Sequence, residues 1–380
     1  MITEIRHDRY FENARKFYCG AIPTVELRGS WFQMGRQYGA LMRDELAKVL
    51  RFAQRNPEGF GRVGQLGKNT ITGRKRYDEL YRGMAETSGL TLEQLRIVNS
   101  VELIYLDRMA GDLRRTFNGG RCSTLAVWGE HTPSGHALFA RNYDWLPDFE
   151  ELLDTLVLAV FHPADGANAV VMINWAGCLY LTTGMNENGL FLELNSGAFA
   201  DTGIVPERIH TAWLLWEFLL DSNDFAALRS CFATCRSAAA YLIGAADADQ
   251  AEVFEWPTQG PAVTAPHEAG ILAAANHFSS PGWTNTALAG SCGDASSINR
   301  RANLLKCAGD VLAQNKKIGP AELAAIMDKT VAEGGAKVGG TLFQVMAAPA
   351  AQTWYVKRRN DPDWTAVELT NLLKGHGELA

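Results

Sequence analysis

The chain has 380 residues, 47% of them hydrophobic, so it can bury a large core and is predicted to form one large or two ordinary globular domains. Its 36 Lys and Arg residues against 42 Asp and Glu residues give a net charge of -6 without long basic runs, which argues against a nucleic acid partner. The start of the chain is too charged for a signal peptide, and no apolar run could span a bilayer. The seven cysteines, an odd number, do not suggest a disulfide framework. The sequence therefore predicts a cytoplasmic protein with no membrane partner.

The first 120 residues are predicted to be mainly helical. Apolar side chains recur at helical spacing from Trp31 to Arg51, which predicts an amphipathic helix there. Thr91 and Gln94 have the spacing of a capping box and predict the start of another helix. Gly89, just before it, suits the end of the preceding helix.

From Cys122 onward the pattern changes to short apolar strands separated by tight turns. Asn188 and Gly189 lie between two such strands and predict a hairpin. Further helices are predicted over residues 209–220, 224–240, 298–315 and 320–331. The predicted strands cover residues 125–128, 138–142, 156–161, 169–175, 178–183, 190–194, 241–245, 251–256, 270–275, 341–347 and 353–357. This order of strands and helices predicts an α+β layered fold.

The cysteines and histidines do not have the spacing of a metal site. Cys231 and Cys235 would lie on one face of a helix, but no second pair of Cys or His residues is near in the sequence to complete a tetrahedral set, so both are predicted to be structural. The sequence also lacks a Gly-Lys-Ser/Thr phosphate loop and a Gly-x-Gly-x-x-Gly turn after a strand. No metal and no other cofactor is therefore predicted.

Cys122 has two alternative roles. It follows Gly119, Gly120 and Arg121 and precedes the apolar run 123–128. Taken alone, it is typical of a small buried hydrophobic residue at the start of a core strand. In the other interpretation it is the nucleophile of a self-processing hydrolase. Cleavage between Arg121 and Cys122 would free an α-amino group, with a pKa of about 8, that activates the thiol.

Two kinds of polar residue interrupt the apolar strands that follow. Arg141 and Asp144 are charges in an apolar neighbourhood, where charges persist when they are paired or functional, although a surface ion pair would also explain them. Asn195 and Asn276 lie at predicted strand ends, where amide side chains either cap turns or donate hydrogen bonds to a developing oxyanion. The four residues are thus candidates for a site around Cys122.

The motifs that carry a resemblance to a known family are Cys122-Ser123-Thr124, Arg141-Asn142-Tyr143-Asp144-Trp145, and Gly184-Met185-Asn186-Glu187-Asn188-Gly189-Leu190 leading to Leu194-Asn195. They look like the choloylglycine hydrolase group of N-terminal nucleophile hydrolases. In the N-terminal part, residues 26–30, 34–39 and 88–91 are similar to the C45 peptidase branch, which includes the acyl-coenzyme A:6-aminopenicillanic acid acyltransferases. The resemblance covers nearly the whole chain.

This resemblance implies a four-layer αββα N-terminal nucleophile hydrolase sandwich with a helical N-terminal segment. The chain would be made as a precursor that cuts itself before Cys122. Residues 1–121 would then be the helical N-terminal segment, or α subunit, and residues 122–380 the αββα catalytic core, or β subunit. The two pieces would stay associated.

The resemblance also implies a role for the residues next to the cleavage point. Cys122 would be both the autoprocessing group and the catalytic nucleophile. Asp144 would hold its free α-ammonium, and Arg141 would steady the thiolate and orient the site. Arg121, before the bond to be cut, stands where many members have glycine.

Three further positions follow from the same resemblance. Asn195 would be the oxyanion-hole asparagine, and Asn276 would position the amine and the carbonyl. The late active-site arginine of the family falls on Arg300 or Arg301.

The predicted function is that of a self-processing cysteine hydrolase that cleaves small-molecule N-acyl amides through an acyl-enzyme on Cys122. The alternative is an acyl-coenzyme A-dependent N-acyltransferase with an acyl thioester donor, because the two differ only in what attacks the acyl-enzyme. A papain-like protease would pair Cys122 with His277, but the local Cys-Gly-Ser-Cys-Trp signature is absent. A non-catalytic binding protein on the same fold is disfavoured because Cys122 and the matching Arg, Asp and two Asn residues are all present.

Overall fold

The computed structural model of the chain describes residues 8–57, 74–102, 104–105, 122–197, 200–201, 203, 205, 207–283 and 296–374. Its helices are α1 (Trp31–Leu41), α2 (Arg43–Gln54), α3 (Lys75–Ser88), α4 (Leu92–Asn99), α5 (Thr211–Asp221), α6 (Phe225–Thr234), α7 (Ser297–Leu312), α8 (Pro320–Asp328) and α9 (Thr370–Lys374). Its strands are β1 (Arg9–Phe11), β2 (Ala14–Cys19), β3 (Ile22–Gly29), β4 (Ser123–Val127), β5 (Leu138–Asp144), β6 (Leu156–Pro163), β7 (Val170–Trp175), β8 (Thr183–Asn186), β9 (Phe191–Ser196), β10 (Tyr241–Ala246), β11 (Ala251–Trp256), β12 (Val263–Thr264), β13 (Ile271–Ala274), β14 (Thr341–Ala348), β15 (Thr353–Arg358) and β16 (Thr365–Glu368).

The helices of the N-terminal segment begin close to where the sequence predicts them. Thr91 and Gln94 form the predicted capping box at the start of α4. The single helix predicted from Trp31 to Arg51 is wrong, because Met42, at φ -112° and ψ 18°, separates α1 from α2. The described residues of the N-terminal segment are therefore mainly helical from Trp31 on, but in shorter pieces.

Three strands precede these helices, and the sequence analysis did not predict them. Charged residues interrupt the apolar alternation of β2 and β3, which hides the period of two. The structure pairs those charges: Lys16 bonds Glu45, and Arg15 Nε donates to Glu26 Oε2 at 2.8 Å. Because each charge has a partner, these residues can lie in strands that are largely buried.

The chain divides into two compact units. Unit 1 comprises Met1–Arg115, Glu151–Leu181 and Asn371–Ala380. Its strands follow the order β1, β2, β3, β6, β7, and neighbours are antiparallel except for the parallel pair β3 and β6. Helix α1 packs against both α3 and β3.

Unit 2 comprises Thr116–Glu150 and Thr182–Thr370, and it is a four-layer αββα sandwich. Strands β8 to β12 lie in sequence order, and a six-stranded sheet has the order β13, β4, β5, β14, β15, β16. The rings of Phe191 on β9 and Phe139 on β5 are 5.1 Å apart, so the two sheets face each other. Helix α5 packs on β8 and β9, whereas α7 packs on β13 and β4 and α8 on β5. The predicted α+β layered fold is confirmed.

Strand alternation in unit 2 decides which side chains face the second sheet. On β4 and β5, Leu125 and Ala140 belong to the core that α7 and α8 cover. Thr124 and Arg141, which are paired across the two strands, point to the opposite face. Because Phe139 on that face meets the other sheet, Thr124 and Arg141 lie between the sheets.

Some predicted boundaries in the rest of the chain differ from those observed. The Asn-Gly hairpin is confirmed, with Gly189 at φ 78°, but its first strand begins at Thr183 rather than Cys178. Residues 178–181 lie outside the ladder, and there the Leu179 N–H donates to Asn99 Oδ1 at 3.0 Å. The helix predicted over 224–240 ends at Thr234.

The division of the chain at Arg121 and Cys122 stays a prediction, and Arg121 lies outside the described residues. The compact units are composed differently from the two predicted pieces. Unit 1 contains β6 and β7, which come from the part of the chain after Cys122.

Candidate active site

Cys122 lies directly before β4 and is buried, with 7% of its surface exposed. Its Sγ accepts a hydrogen bond of 3.0 Å from Arg141 Nη2. Because β4 lies inside its sheet, between β13 and β5, side chains from both faces of the sheet can reach the strand end. Cys122 can therefore meet groups from the layer between the sheets and from the helical layer.

Acceptors surround the Arg141 guanidinium, which is fully buried. Its Nη1 donates to Thr182 O at 2.6 Å and to Thr183 Oγ1 at 2.7 Å. Its Nη2 donates to Leu194 O at 3.1 Å as well as to Cys122 Sγ. The cation is thus fixed in one orientation, and in a medium of low dielectric constant it acts strongly on the sulfur.

The charges around Cys122 act on its thiol in opposite directions. Burial raises the pKa of Cys122, and the Arg141 charge works against that rise. The charges of Asp144 and Glu193 raise the pKa further, whereas a backbone hydrogen bond from Asp144 lowers it. The thiol is therefore neutral at neutral pH in the intact chain and needs a base to become a nucleophile.

Asp144 is buried at the end of β5, and its two carboxylate oxygens have different surroundings. Oδ1 accepts a hydrogen bond of 2.6 Å from Thr341 Oγ1. Oδ2 lies 3.6 Å from Arg300 Nη1 and accepts no hydrogen bond within the described residues. Burial raises the pKa of Asp144 to about 6, against the lowering effects of Arg300, Thr341 and Arg141. Oδ2 is a buried acceptor that can take a donor.

Arg300, in the first turn of α7, connects three groups of the site. Its Nη1 donates to Cys122 O at 3.1 Å and forms the ion pair with Asp144. Its Nη2 donates to Asn276 Oδ1 at 2.8 Å. Burial lowers the pKa of Arg300, although Asp144 and Cys122 oppose this effect. The arginine thus reaches the strand end from the helical layer.

The neighbouring Arg301 has a different partner. Successive residues of a helix point about 100° apart, so the two side chains leave α7 in different directions. Arg301 is half-buried, and its Nε donates to Ala273 O at 2.9 Å. Of the two arginines predicted for the late position, the structure brings Arg300 to Cys122 and leaves Arg301 outside.

Asn276 lies just after β13 and is held at three points. Its Nδ2 donates to Ser196 O at 2.9 Å, and its backbone N–H donates to Ser297 Oγ at 2.7 Å. Its Oδ1 accepts from Arg300. Asn276 is therefore connected to Cys122 through Arg300.

His277, the base of the papain-like alternative, is also bound to Ser297. Its Nδ1 lies 2.7 Å from Ser297 Oγ, and within the described residues it makes no hydrogen bond to Cys122. Burial, together with Arg301 and Arg300, lowers the pKa of His277 to about 4. The papain-like pairing gains no support from this geometry.

Asn195 donates through Nδ2 to Thr124 Oγ1 at 2.8 Å and to Glu193 Oε1 at 3.0 Å. Thr124 Oγ1 itself donates to the same Glu193 oxygen at 2.7 Å. The three atoms form a nearly equilateral triangle, whereas the two hydrogens of an amide point roughly 120° apart. At most one N–H of Asn195 can therefore point straight at an acceptor, and the described residues give this amide nitrogen no third acceptor.

The sequence analysis missed Glu193 and Thr341. Glu193 is a charge within the apolar run of β9, two residues before Asn195, so the argument applied to Arg141 would also have found it. No local signal marks Thr341, which reaches Asp144 from β14, 197 residues away in the sequence.

Within the described residues, no group of three or more His, Cys, Asp or Glu side chains is arranged to hold a metal ion. In the same part of the chain, no helix has the length and hydrophobicity that crossing a bilayer requires.

No protein-family model matches the sequence, and no curated protein matches it significantly. Among solved structures, a mutant conjugated bile acid hydrolase from Clostridium perfringens is 14% identical, with a TM-score of 0.49 over 66% of this chain and 94% of that one. An N-acylethanolamine-hydrolyzing acid amidase ortholog from Caenorhabditis elegans is 11% identical, with a TM-score of 0.45 over 60% and 93% of the two chains. A penicillin V acylase from Agrobacterium tumefaciens is 15% identical, with a TM-score of 0.44 over 67% and 89%.

Proposed function

We propose that the chain is a self-processing cysteine N-terminal nucleophile hydrolase that cleaves N-acyl amide bonds through an acyl-enzyme on Cys122. One observation carries the proposal: a buried thiol in contact with a fixed cation lies beside a buried carboxylate oxygen that accepts no hydrogen bond from any described residue. An α-ammonium on Cys122 would supply the donor that Asp144 Oδ2 can take. Such a group exists only after the bond before Cys122 has been cut.

The processing step converts the intact chain into this form. The thiol of Cys122 adds to the carbonyl carbon of Arg121, the C–N bond between the two residues breaks, and the nitrogen takes up the thiol proton. Water then hydrolyses the resulting thioester, which leaves a carboxylic acid on Arg121 and a free amine and thiol on Cys122. Two pieces result, which are proposed to stay associated.

Turnover of a small-molecule substrate repeats the same chemistry. The α-amine takes the thiol proton, the sulfur attacks the amide carbonyl, and the leaving amine departs with the proton from the α-ammonium. Water then attacks the acyl-enzyme, gives a proton to the α-amine and releases the acid. The second hydrogen of Asn195 is a candidate donor to the oxyanion, and Arg141 stabilises negative charge on the sulfur.

The raised pKa of Asp144 leads to a prediction about processing. The carboxylate stabilises the ammonium that forms on Cys122, so protonation of Asp144 at pH values below about 6 removes this help. The thiol pKa is raised as well, so the rate rises with pH throughout this range. We therefore expect a plot of the logarithm of the cleavage rate against pH to have a slope of about one above pH 6. Below pH 6 the slope should rise toward about two.

The measurement is cleavage of freshly translated chain, followed by denaturing gels between pH 4.5 and 8. Asp201→Asn is the control, since Asp201 bonds Thr258 and its pKa is lowered, not raised. The Asp144→Asn chain should cleave slowly, and its pH–rate profile should lack the steeper region below pH 6. A wild-type profile that steepens only near pH 4, the range of an ordinary aspartate, contradicts the assigned role.

Hydrolysis and acyl transfer can be distinguished because only acyl transfer requires an added amine. A hydrolase consumes N-acyl amino acids or penicillin V and forms the free acid in water alone, whereas a transferase consumes acyl-coenzyme A only when an amine such as 6-aminopenicillanate is present. We expect the first result, with a rate independent of the added amine. The check is product analysis by mass spectrometry, with Cys122→Ala as the blank, and donor consumption that depends on the amine identifies the transferase instead.

A further inference from the structure

Glu193 is a fully buried carboxylate on β9 whose partners all lie around Cys122. Its Oε1 accepts from Thr124 and Asn195, and its Oε2 lies 3.4 Å from Arg141 Nε. We propose that Glu193 is a positioning residue of this site, whose two oxygens fix the directions in which Arg141 and Asn195 present their N–H groups. The inference rests on the proposed function in taking Cys122 as the nucleophile.

The geometry gives each oxygen a separate task. Oε2 forms an ion pair with Arg141 Nε that lacks hydrogen-bond geometry, so it holds the guanidinium by its charge while Nη2 of the same group donates to Cys122 Sγ. Oε1 takes one N–H of Asn195, and the second hydrogen then points away from Glu193. Asn195 Oδ1 also lies 3.4 Å from Arg141 Nη2. One carboxylate therefore aligns both the cation and the amide.

The neighbouring strand leaves room for this side chain. Gly244 on β10 lies opposite Glu193, and a Cβ at that position would come within 2.6 Å of Glu193 Oε1 and 2.3 Å of Phe139 Cζ. A glycine in the middle of a strand weakens the strand, and it is used where another group approaches closely. Any larger residue at 244 would displace the Glu193 carboxylate.

Glu193→Gln tests the charge and one of the contacts together. The substitution removes the ion pair with Arg141, and because an amide has one acceptor and one donor end, one of its two orientations also takes the acceptor from Asn195 and Thr124. The kcat is expected to fall on the order of tenfold to a hundredfold with KM nearly unchanged, because Glu193 orients groups and does not bind substrate. The charge of Glu193 raises the pKa of Cys122, so its removal should also move the midpoint of Cys122 alkylation to lower pH.

Alkylation by iodoacetamide, located by peptide mass spectrometry, measures this midpoint without any substrate. Glu255→Gln is the matched control, because Glu255 is also fully buried in unit 2 but accepts from Ser279 and Ser280. Substitution of a carboxylate with a purely structural role would not change the pH midpoint of Cys122 alkylation. The proposal is overturned if Glu193→Gln keeps the wild-type kcat and midpoint, or if Glu255→Gln shifts both equally.

Thr124→Val provides a second test should Glu193→Gln fail to fold. It removes the hydroxyl between Glu193 and Asn195 and keeps every charge, so kcat should fall while the alkylation midpoint stays near that of the wild type. A wild-type kcat in Thr124→Val contradicts the alignment of Asn195. If substrates are not turned over at all, the proposed function has failed, whereas the midpoint in Glu193→Gln still decides whether Glu193 acts on the thiol.

Discussion

Cys122→Ala is expected to remain a single species of 41.6 kDa under denaturing conditions, whereas the wild-type protein separates into two fragments, the larger beginning at Cys122. The variant lacks the thiol that both processing and turnover require. Loss of a covalent nucleophile typically costs on the order of 10⁴-fold or more in rate, so hydrolysis should fall to the background. Intact-mass analysis and an amide hydrolysis assay on the same two preparations check both expectations.

Cys307→Ala serves as the control for this experiment. Cys307 is another buried cysteine of unit 2, but it is a residue of α7 and packs into the core that α7 and α8 cover. Its removal should lower stability and leave cleavage intact. An uncleaved wild-type chain, together with activity that survives in Cys122→Ala, would rule out the proposed mechanism and reopen the binding-protein alternative.

Arg300→Met is expected to abolish most activity and to destabilise the protein at the same time. The substitution leaves Asp144 buried without its cation, which typically costs about 3–5 kcal/mol of unfolding free energy. It also removes the donor to Cys122 O and to Asn276, so kcat/KM should fall on the order of a hundredfold or more. Urea unfolding and steady-state kinetics measure the two effects separately.

The adjacent arginine is a matched comparison. Arg301→Met removes one hydrogen bond to a backbone carbonyl, which typically contributes about 1 kcal/mol, and should change kcat/KM only a few-fold. Equal losses in the two variants would mean that the contacts of Arg300 do not matter for catalysis. Arg300→Lys adds a further test, because it keeps the charge but cannot reach both partners of the planar guanidinium.

These expectations depend on residues that the sequence could identify only in part. Cys122, Arg141 and Asp144 were identifiable because a reactive or charged residue in an apolar strand needs a reason to be there. Which of Arg300 and Arg301 enters the site could not be decided from sequence, since it depends on the rotation of α7 about its axis. Distant partners such as Thr341 follow from strand pairing, and a single sequence does not contain that information.

The layered fold was easier to predict than the number and bounds of its helices and strands. Short apolar runs and the period of 3.6 residues are clear signals where the chain is uniformly buried or has one apolar face, as in β4 and α7 respectively. They fail where charges are paired within the fold, as at Lys16 and Glu26, so the strands before Trp31 were missed. The break at Met42 was missed for a different reason, because both flanking helices keep the same amphipathic spacing.

The parallel pairing of β3 with β6 joins residues 24–29 to residues 158–163, on opposite sides of the proposed cleavage point. Once the bond before Cys122 is cut, this ladder would connect two separate polypeptides. Folding of the intact chain is unimolecular, but reassembly of the mature protein would be a second-order reaction whose yield falls on dilution. In dilute solution, cleavage would thus make unfolding effectively irreversible, and the lifetime of the folded state would then be set by the rate of unfolding.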